Sequence, residues 1–339
     1  MKILQVGPNS VHVSSFVSAL KTDQNSLFLL SEEPFELEEI THNYVVSFRT
    51  FNPVKIVQNI SRIKNILLEI NPKVVHIHQV NRLAYFVSKV ANQLNIRVVT
   101  TAWGSDVLLI PKKNALYHFL VKETLKKSAV VTADSKDMIE AMNAILPSDK
   151  YTLLQYGIDP IKSVVKEKVI YSNRLHEPLY RIDKIIDYFN DFSKIYPEWK
   201  LVIAGSGSET EQLKNKVKSL QVDSKISFVG WQKKDENRNW YARASIYVSL
   251  PKSDGTSVSV LEAMSAGCLP VVSNIPVSHE WIVSGQNGII ETQHLNPLIE
   301  ALELNREDCT ERNERLILEK ATRKASILQF EKIYRSSGF

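Results

Sequence analysis

Only two cysteines, Cys268 and Cys309, occur among the 339 residues of this chain. Two widely separated thiols give neither a disulfide framework nor a metal-ligand spacing, and they suit a reducing compartment. No apolar run reaches the roughly 18 residues that a membrane-spanning helix needs. The first apolar stretch, Ile3 to Val6, is too short for a signal-peptide core, so the expected location is the cytoplasm. An excess of one charge is also missing. The net charge is +5, from 42 basic and 37 acidic residues. That is too little to argue for nucleic acid, although it suits anionic ligands or an anionic membrane face. Glycine is sparse, and the loop after the first strand, Gly7 to Ser10, carries one, so it lacks the glycine pattern of a dinucleotide site. There is no internal repeat and no low-complexity segment.

What the chain does have is ordinary core material, with 44% hydrophobic and 23% charged residues, in a length that suggests two domains. Met1 to Val6 reads as a strand leading through a turn-rich loop into a helix from about Val11, the usual opening of a doubly wound α/β domain. Ser10 and His12 sit where that helix begins. Ile56, Ile60, Ile63, Leu67 and Ile70 recur at helical spacing up to Asn71-Pro72. Val74 to His78 then reads as a buried strand with His76 and His78 on one face, either a metal pair or hydrogen-bonded structure, with no third ligand nearby. Ile96 to Thr101 and Ala129 to Ala133 are further strands. Between them, Lys112 to Lys127 carries five lysines against one glutamate. Tyr117, Leu120, Val121 and Leu125 form an apolar stripe there, with Leu116 and Phe119 beside it. Such a helix either buries its stripe in the core or lies on an anionic membrane surface.

The second half repeats the strand–loop–helix pattern. Val169 to Ser172, Leu201 to Ala204, Ile226 to Val229 and Ile246 to Leu250 read as strands. The most informative segment follows the last of these: PKSDGTSVSVLEAMSAGCLP, residues 251–270. It is a polar loop, Pro251 to Ser257, opening into a helix that begins near Ser257 or Val258. The start of a helix offers unpaired N–H groups and the positive end of the macrodipole, which together hold phosphate. Asp254 and Glu262 bracket that start. Carboxylates repel bare phosphate but accept hydrogen bonds from hydroxyls, so the layout suits a diphosphate flanked by sugars: a nucleotide sugar. Arg174 stands at the end of the Val169 strand, and a guanidinium at a strand's end can grip phosphate oxygens bidentately and stabilise charge on a leaving diphosphate.

Asp254-x7-Glu262, followed by Ala263-Met264-Ser265-Ala266-Gly267-Cys268-Leu269-Pro270-Val271-Val272, resembles the donor signature of retaining GT-B glycosyltransferases, in which two glutamates are separated by seven residues. Here the first acid is Asp254, one methylene shorter. The resemblance continues in Tyr156-Gly157-Ile158-Asp159 and Asn173-Arg174-Leu175. The family's lysine after the arginine is absent, and Tyr180 or Arg181 occupies its neighbourhood. The family's histidine before Gly-Ser-Asp is replaced by Trp103, ahead of Gly104-Ser105-Asp106.

The resemblance implies an α/β GT-B fold: two facing Rossmann-like domains, with a C-terminal helix crossing back to the first. The expected bounds are an acceptor-side domain over residues 1–158, a linker over 159–167, a nucleotide-sugar-binding domain over 168–322 and the returning helix over 323–339, anchored by Ile327, Phe330 and Tyr334. It implies a retaining transfer without metal or other cofactor, from a nucleotide-diphosphate sugar (a UDP-sugar above others) to a glycan acceptor. That acceptor would be lipid-linked if the basic helix meets the inner face of the plasma membrane, as in bacterial capsule or O-antigen synthesis. Arg174, Arg181, Asp254 and Asp106 are the expected catalytic set. Gly205, Trp231, Gln232, Gly255, Thr256, Ser257, Val258, Ser259 and Glu262 would bind the donor, and Ser10, His12, Trp103 and Gly104 lie on the acceptor side. Two rival readings remain: a nucleotide-sugar epimerase of the same fold and a non-enzymatic basic binding module.

Overall fold

The computed structural model describes residues 1–292 and 294–336, which form two compact units. The first comprises Met1–Tyr156 and the chain from Arg323 onward; the second is Gly157–Thr322. Residues 337–339 of the expected returning helix lie outside the described residues.

In the first unit the strands are β1 (Lys2–Val6), β2 (Ser26–Ser31), β3 (His42–Val45), β4 (Val74–His78), β5 (Arg97–Thr101), β6 (Val130–Ala133) and β7 (Tyr151–Leu153). Among the described residues they make one parallel sheet in the order β3-β2-β1-β4-β5-β6-β7. Its helices are α1 (Val11–Leu20), α2 (Pro53–Ile70), α3 (Arg82–Gln93), α4 (Ser105–Leu108), α5 (Ala115–Lys127) and α6 (Lys136–Ile145). Chain order sets the logic: parallel neighbours need crossovers, and each helix supplies one while covering a sheet face. β4 and β5 are buried along their whole length, as strands covered on both faces must be. Helix ends follow their caps: the Asn52 and Asn81 side chains accept the first N–H groups of α2 and α3.

The second unit contains β8 (Glu167–Ser172), α7 (Ile182–Ile195), β9 (Lys200–Ala204), α8 (Thr210–Ser219), β10 (Ile226–Gly230), α9 (Lys234–Arg243), β11 (Ala244–Ser249), α10 (Val258–Ser265), β12 (Leu269–Val272), α11 (Ser278–Trp281), β13 (Ile289–Ile290), α12 (Pro297–Glu303) and α13 (Arg306–Lys320). Its parallel sheet runs β10-β9-β8-β11-β12-β13, the same doubly wound plan. Side chains alternate across it. Ile170, Ile246 and Val248 enter the core on the α7 side, while Tyr171, Tyr247 and Val272 enter the one beneath α10.

The last helix, α14 (Arg323–Arg335), belongs to the first unit. Ile327, Phe330 and Tyr334 are buried there, with Phe330 edge-on to Phe16 at 4.8 Å. Three expectations change. β2 and β3 lie in a stretch to which periodicity assigned no strand, because β2 is a short apolar run beside acidic residues and β3 is a half-exposed edge. β8 already starts at Glu167, shortening the linker. The stripe of α5 divides: Val121 and Leu125 are buried, whereas Tyr117, expected with them, is exposed together with Leu116 and Phe119.

Candidate functional site

In a doubly wound sheet, ligands gather at the carboxyl ends of the strands where the winding reverses. In the second unit that point lies between β8 and β11. Arg174 follows β8, and the loop Pro251–Ser257 follows β11. The two meet there. Arg174 donates to the Asp254 carboxylate at 2.7 Å and to the Ser257 hydroxyl at 2.6 Å, and its guanidinium lies 4.5 Å over the Tyr180 ring. Its side chain is 12% exposed and that of Asp254 is 21%, so this pair is largely sheltered from screening. Burial opposes the charge on Arg174, but Asp254, Tyr247 and Tyr180 together outweigh it and hold the guanidinium firmly protonated.

Ser257 is the N-cap of α10, yet its side chain makes no capping bond because its hydroxyl faces Arg174. The first backbone N–H groups of the helix, on Val258 and Ser259, have no acceptor one turn back. Beneath them is a polar layer. The Asn173 amide donates to Asn237 and to the Tyr241 hydroxyl, and accepts from the Tyr247 hydroxyl at 2.8 Å. The Ser259 side chain hydrogen-bonds to Tyr241 and Tyr247. Burial pushes the Tyr247 phenol up to about 12; Arg174 opposes the shift, and Asp254 and Glu262 add to it. Both acids and the arginine therefore act on one phenol, and Glu262, half-buried, stands within this cluster.

Backbone geometry brings the other loops in. Gly205 ends β9 at φ +105°, and a Cβ there would lie 2.5 Å from the Arg174 carbonyl oxygen, so only glycine permits this approach. Gly255 and Thr256 are buried, and the Thr256 hydroxyl accepts from the Trp281 indole at 3.1 Å. Trp281 carried no sequence signal beyond its type. Trp231, after β10, is 65% exposed and presents a free-standing aromatic face. Gln232 does not: its amide donates to the Val229 carbonyl and its oxygen accepts from Trp240, which ties the side chain back onto its own loop.

Arg181 is held by partners of its own. Its Nε donates to the Leu250 carbonyl at 2.6 Å and its terminal nitrogen pairs with Glu291 at 2.9 Å. Lys184 and Tyr188 share the same carboxylate. Arg181 thus buttresses the base of the 251–257 loop with its charge compensated, and the Arg174 guanidinium is the one at the helix start.

The first unit has the same reversal between β1 and β4, with different contents. His76 Nε2 meets the Thr101 hydroxyl at 2.7 Å and its Nδ1 meets the Tyr334 hydroxyl at 2.6 Å. His78 bonds to Tyr156 at 2.7 Å and to Gln5 at 2.6 Å. Burial drives both imidazoles towards neutrality, His78 to about 3 and His76 well below its usual range. The pair is hydrogen-bonded structure, and among the described residues no group of three His, Cys, Asp or Glu side chains is arranged to hold a metal ion. Tyr156 also accepts from the Trp103 indole at 2.8 Å, and the His12 ring lies edge-on to Trp103 at 5.5 Å. Ser10 caps α1 by accepting from Val13 N–H, and Gly104, at φ +118°, opens α4. Asp106 is 2% exposed and accepts from the backbone N–H groups of Val80 and Trp103. Burial raises its carboxyl to about 6 against those bonds. It fastens the Trp103 turn to the loop after β4.

Residues 160–323 match the family described as glycosyl transferases group 1, and residues 2–135 match glycosyl transferase 4-like. Each unit thus matches a glycosyltransferase family model, and the fold is GT-B. Over 98% of this chain and 99% of its own, the Anabaena HepE structure, solved with UDP and glucose, superposes with a TM-score of 0.82 at 11% identity. Among curated relatives, an uncharacterised glycosyltransferase of Haemophilus influenzae is 27% identical over 165 residues, 48% of this chain and 43% of that protein. N-acetyl-alpha-D-glucosaminyl L-malate synthase of Bacillus anthracis is 22% identical over 286 residues, 78% of this chain and 74% of that protein. In GT-B terms, the Arg174–Asp254–Ser257 cluster lies in the unit matched by the group 1 family, and the neutral histidine cluster lies in the other.

Proposed function

We propose that the protein is a retaining glycosyltransferase that moves a sugar from a nucleotide-diphosphate sugar, a UDP-sugar first among them, to a hydroxyl of a glycan acceptor. The observation that carries this reading is the meeting of Arg174 with the start of α10 at the switch point of the second unit. A guanidinium has five N–H donors, so Arg174 can keep Asp254 and Ser257 and still address an anion. Together with the N–H groups of Val258 and Ser259 it would hold the diphosphate and stabilise the charge that builds as the C1–O bond to phosphate breaks. The acceptor oxygen attacks the anomeric carbon on the face the diphosphate leaves, and a diphosphate oxygen takes the acceptor's proton. Asp254 would hold donor-sugar hydroxyls, Glu262 the ribose, and Trp231 the base by stacking. Arg174 supplies the electrostatic role that a cation would otherwise fill. The acceptor is read as lipid-linked and the setting as surface-polysaccharide synthesis at the cytoplasmic membrane face.

Thermal shift with UDP-, GDP- and dTDP-sugars identifies the donor, and the anomeric configuration of the product, read by NMR, tests retention. Glu262→Gln is expected to lower kcat/KM at least tenfold; a smaller loss removes Glu262 from the donor site. Incubation with donor alone separates the rival reading: an epimerase yields an epimer, whereas a transferase yields at most slow release of nucleotide.

A further inference from the structure

Beside the 251–257 loop the second unit holds a cavity that the Arg174 cluster does not use. It lies among the carboxyl ends of β11 and β12 and the helices α10 and α11, with about 30 Å³ open to water-sized groups. Its lining runs from half-exposed Asp254, Ser257 and Ile275 to buried Leu261, Val272 and Trp281. Ser249 and Ser273 line it too, and each is 1% exposed. The Ser273 N–H donates to the Ser249 carbonyl at 3.3 Å, so the two are neighbours across the strand ends. Among the described residues neither hydroxyl has a hydrogen-bond partner, whereas the Thr256 hydroxyl in the same lining accepts from Trp281.

Buried hydroxyls are nearly always bonded, because an unpaired one keeps its desolvation cost. Two of them side by side in one cavity suit an occupant that brings a hydrogen-bond acceptor. The rest of the wall is largely apolar, so the same occupant needs an apolar end. A water-sized group takes about 10–15 Å³ of such space, so the cavity suits about two or three heavy atoms. Asp254, Gly255, Thr256 and Ser257 belong to its lining, and these residues meet the sugar and diphosphate in the donor reading, on which this inference rests. The occupant is therefore a substituent of the donor sugar. A uronic acid carboxylate would meet Asp254 there, and among the described residues no lysine or arginine lines the cavity. A plain hydroxyl would leave the apolar wall unfilled. An acetamido group is neutral, and its acetyl part has three heavy atoms: a methyl, a carbonyl carbon and an oxygen that accepts two bonds. We infer that the cavity receives the acetyl group of an N-acetylhexosamine. Ser249 and Ser273 donate to its carbonyl oxygen, and its methyl packs against Leu261, Val272 and Trp281. The donor is then a nucleotide-activated acetamido sugar in preference to the plain hexose.

The test is calorimetry on the full chain with UDP and with two donor pairs that differ by the acetamido group alone. These are UDP-glucose with UDP-N-acetylglucosamine, and UDP-galactose with UDP-N-acetylgalactosamine. In at least one pair the acetamido donor is expected to bind about tenfold or more tightly than the hexose, the range a small pocket gives to selectivity. Ser249→Ala with Ser273→Ala should cut that ratio about threefold or more, and Ser273→Val, which fills the cavity, should bring it close to one. The ratio of the two Kd values is the readout, because a general loosening of the site weakens both donors alike. The double alanine variant should keep or raise the Tm, since it removes two buried hydroxyls without partners, and it carries the test if Ser273→Val does not fold. Binding of UDP with no acetamido preference in either pair would overturn this inference and leave the donor reading standing. A preference that the variants retain would overturn the cavity as its source. No binding of UDP or of any of the four sugars would overturn the donor reading and this inference with it.

Discussion

The two units share one sheet plan and differ in what stands at its reversal point. In the second unit the crevice between β8 and β11 is charged: Arg174 and Asp254 face each other beside the open start of α10. In the first, the crevice between β1 and β4 is neutral, filled by His76, His78, Gln5, Tyr156 and Tyr334, which are linked by hydrogen bonds. The topology fixes where a ligand can approach, and the side chains fix what sign of charge it meets there. A sheltered cation next to helix N–H groups is arranged for an anion. A buried pair of uncharged imidazoles is arranged for rigidity.

The contrast breaks most sharply at Arg174. Arg174→Ala should lower kcat/KM for the nucleotide sugar by about 100- to 1000-fold, while leaving the acid stability profile of the first unit unchanged. A loss below tenfold would mean that the charge in the second crevice is structural. Next comes pH. Both histidines are depressed in the folded state, so their contribution to stability is complete above about 6.5 and is lost as pH falls below that, towards about 3 for His78. The His78 ring should remove about 2 kcal/mol by pH 5, read from urea melts, with His76 acting in the same direction. His78→Phe should flatten that slope and leave UDP-sugar binding untouched. Gly205→Ala forces a left-handed φ and a clash onto the Arg174 carbonyl, and should cost about 2 kcal/mol of stability together with a several-fold rise in the donor Kd, measured by calorimetry. The smallest effect is expected for Trp281→Phe. It removes the bond to Thr256 and should cost about 1 kcal/mol, with a rise in donor KM of no more than a few-fold.

Much of this was legible in the chain itself, for physical reasons that also explain the misses. The α10 start was readable because Asp254, Ser257 and Glu262 lie within one local segment, where spacing translates directly into geometry. Arg174 was readable because the end of a buried strand is a fixed place. What the sequence did not show is that Arg181 and Asp106 have partners, Glu291 and the Val80 N–H, on other elements. No local pattern shows that a charge is already answered across 110 residues. For Gln232 the partners are close by, but side-chain direction is invisible to periodicity. The histidine pair was left between metal and structure because the deciding hydroxyl, on Tyr334, comes 258 residues after His76.

That last bond has a consequence for biosynthesis. The first unit is built from two separate stretches of the described chain, so its earlier stretch lacks the hydroxyl that satisfies His76 until position 334 has left the ribosome. The second unit is contiguous and can close sooner. The order of completion is therefore the reverse of the order of synthesis, and a cut within α14 should leave the later half well folded while the earlier half stays loose and prone to proteolysis.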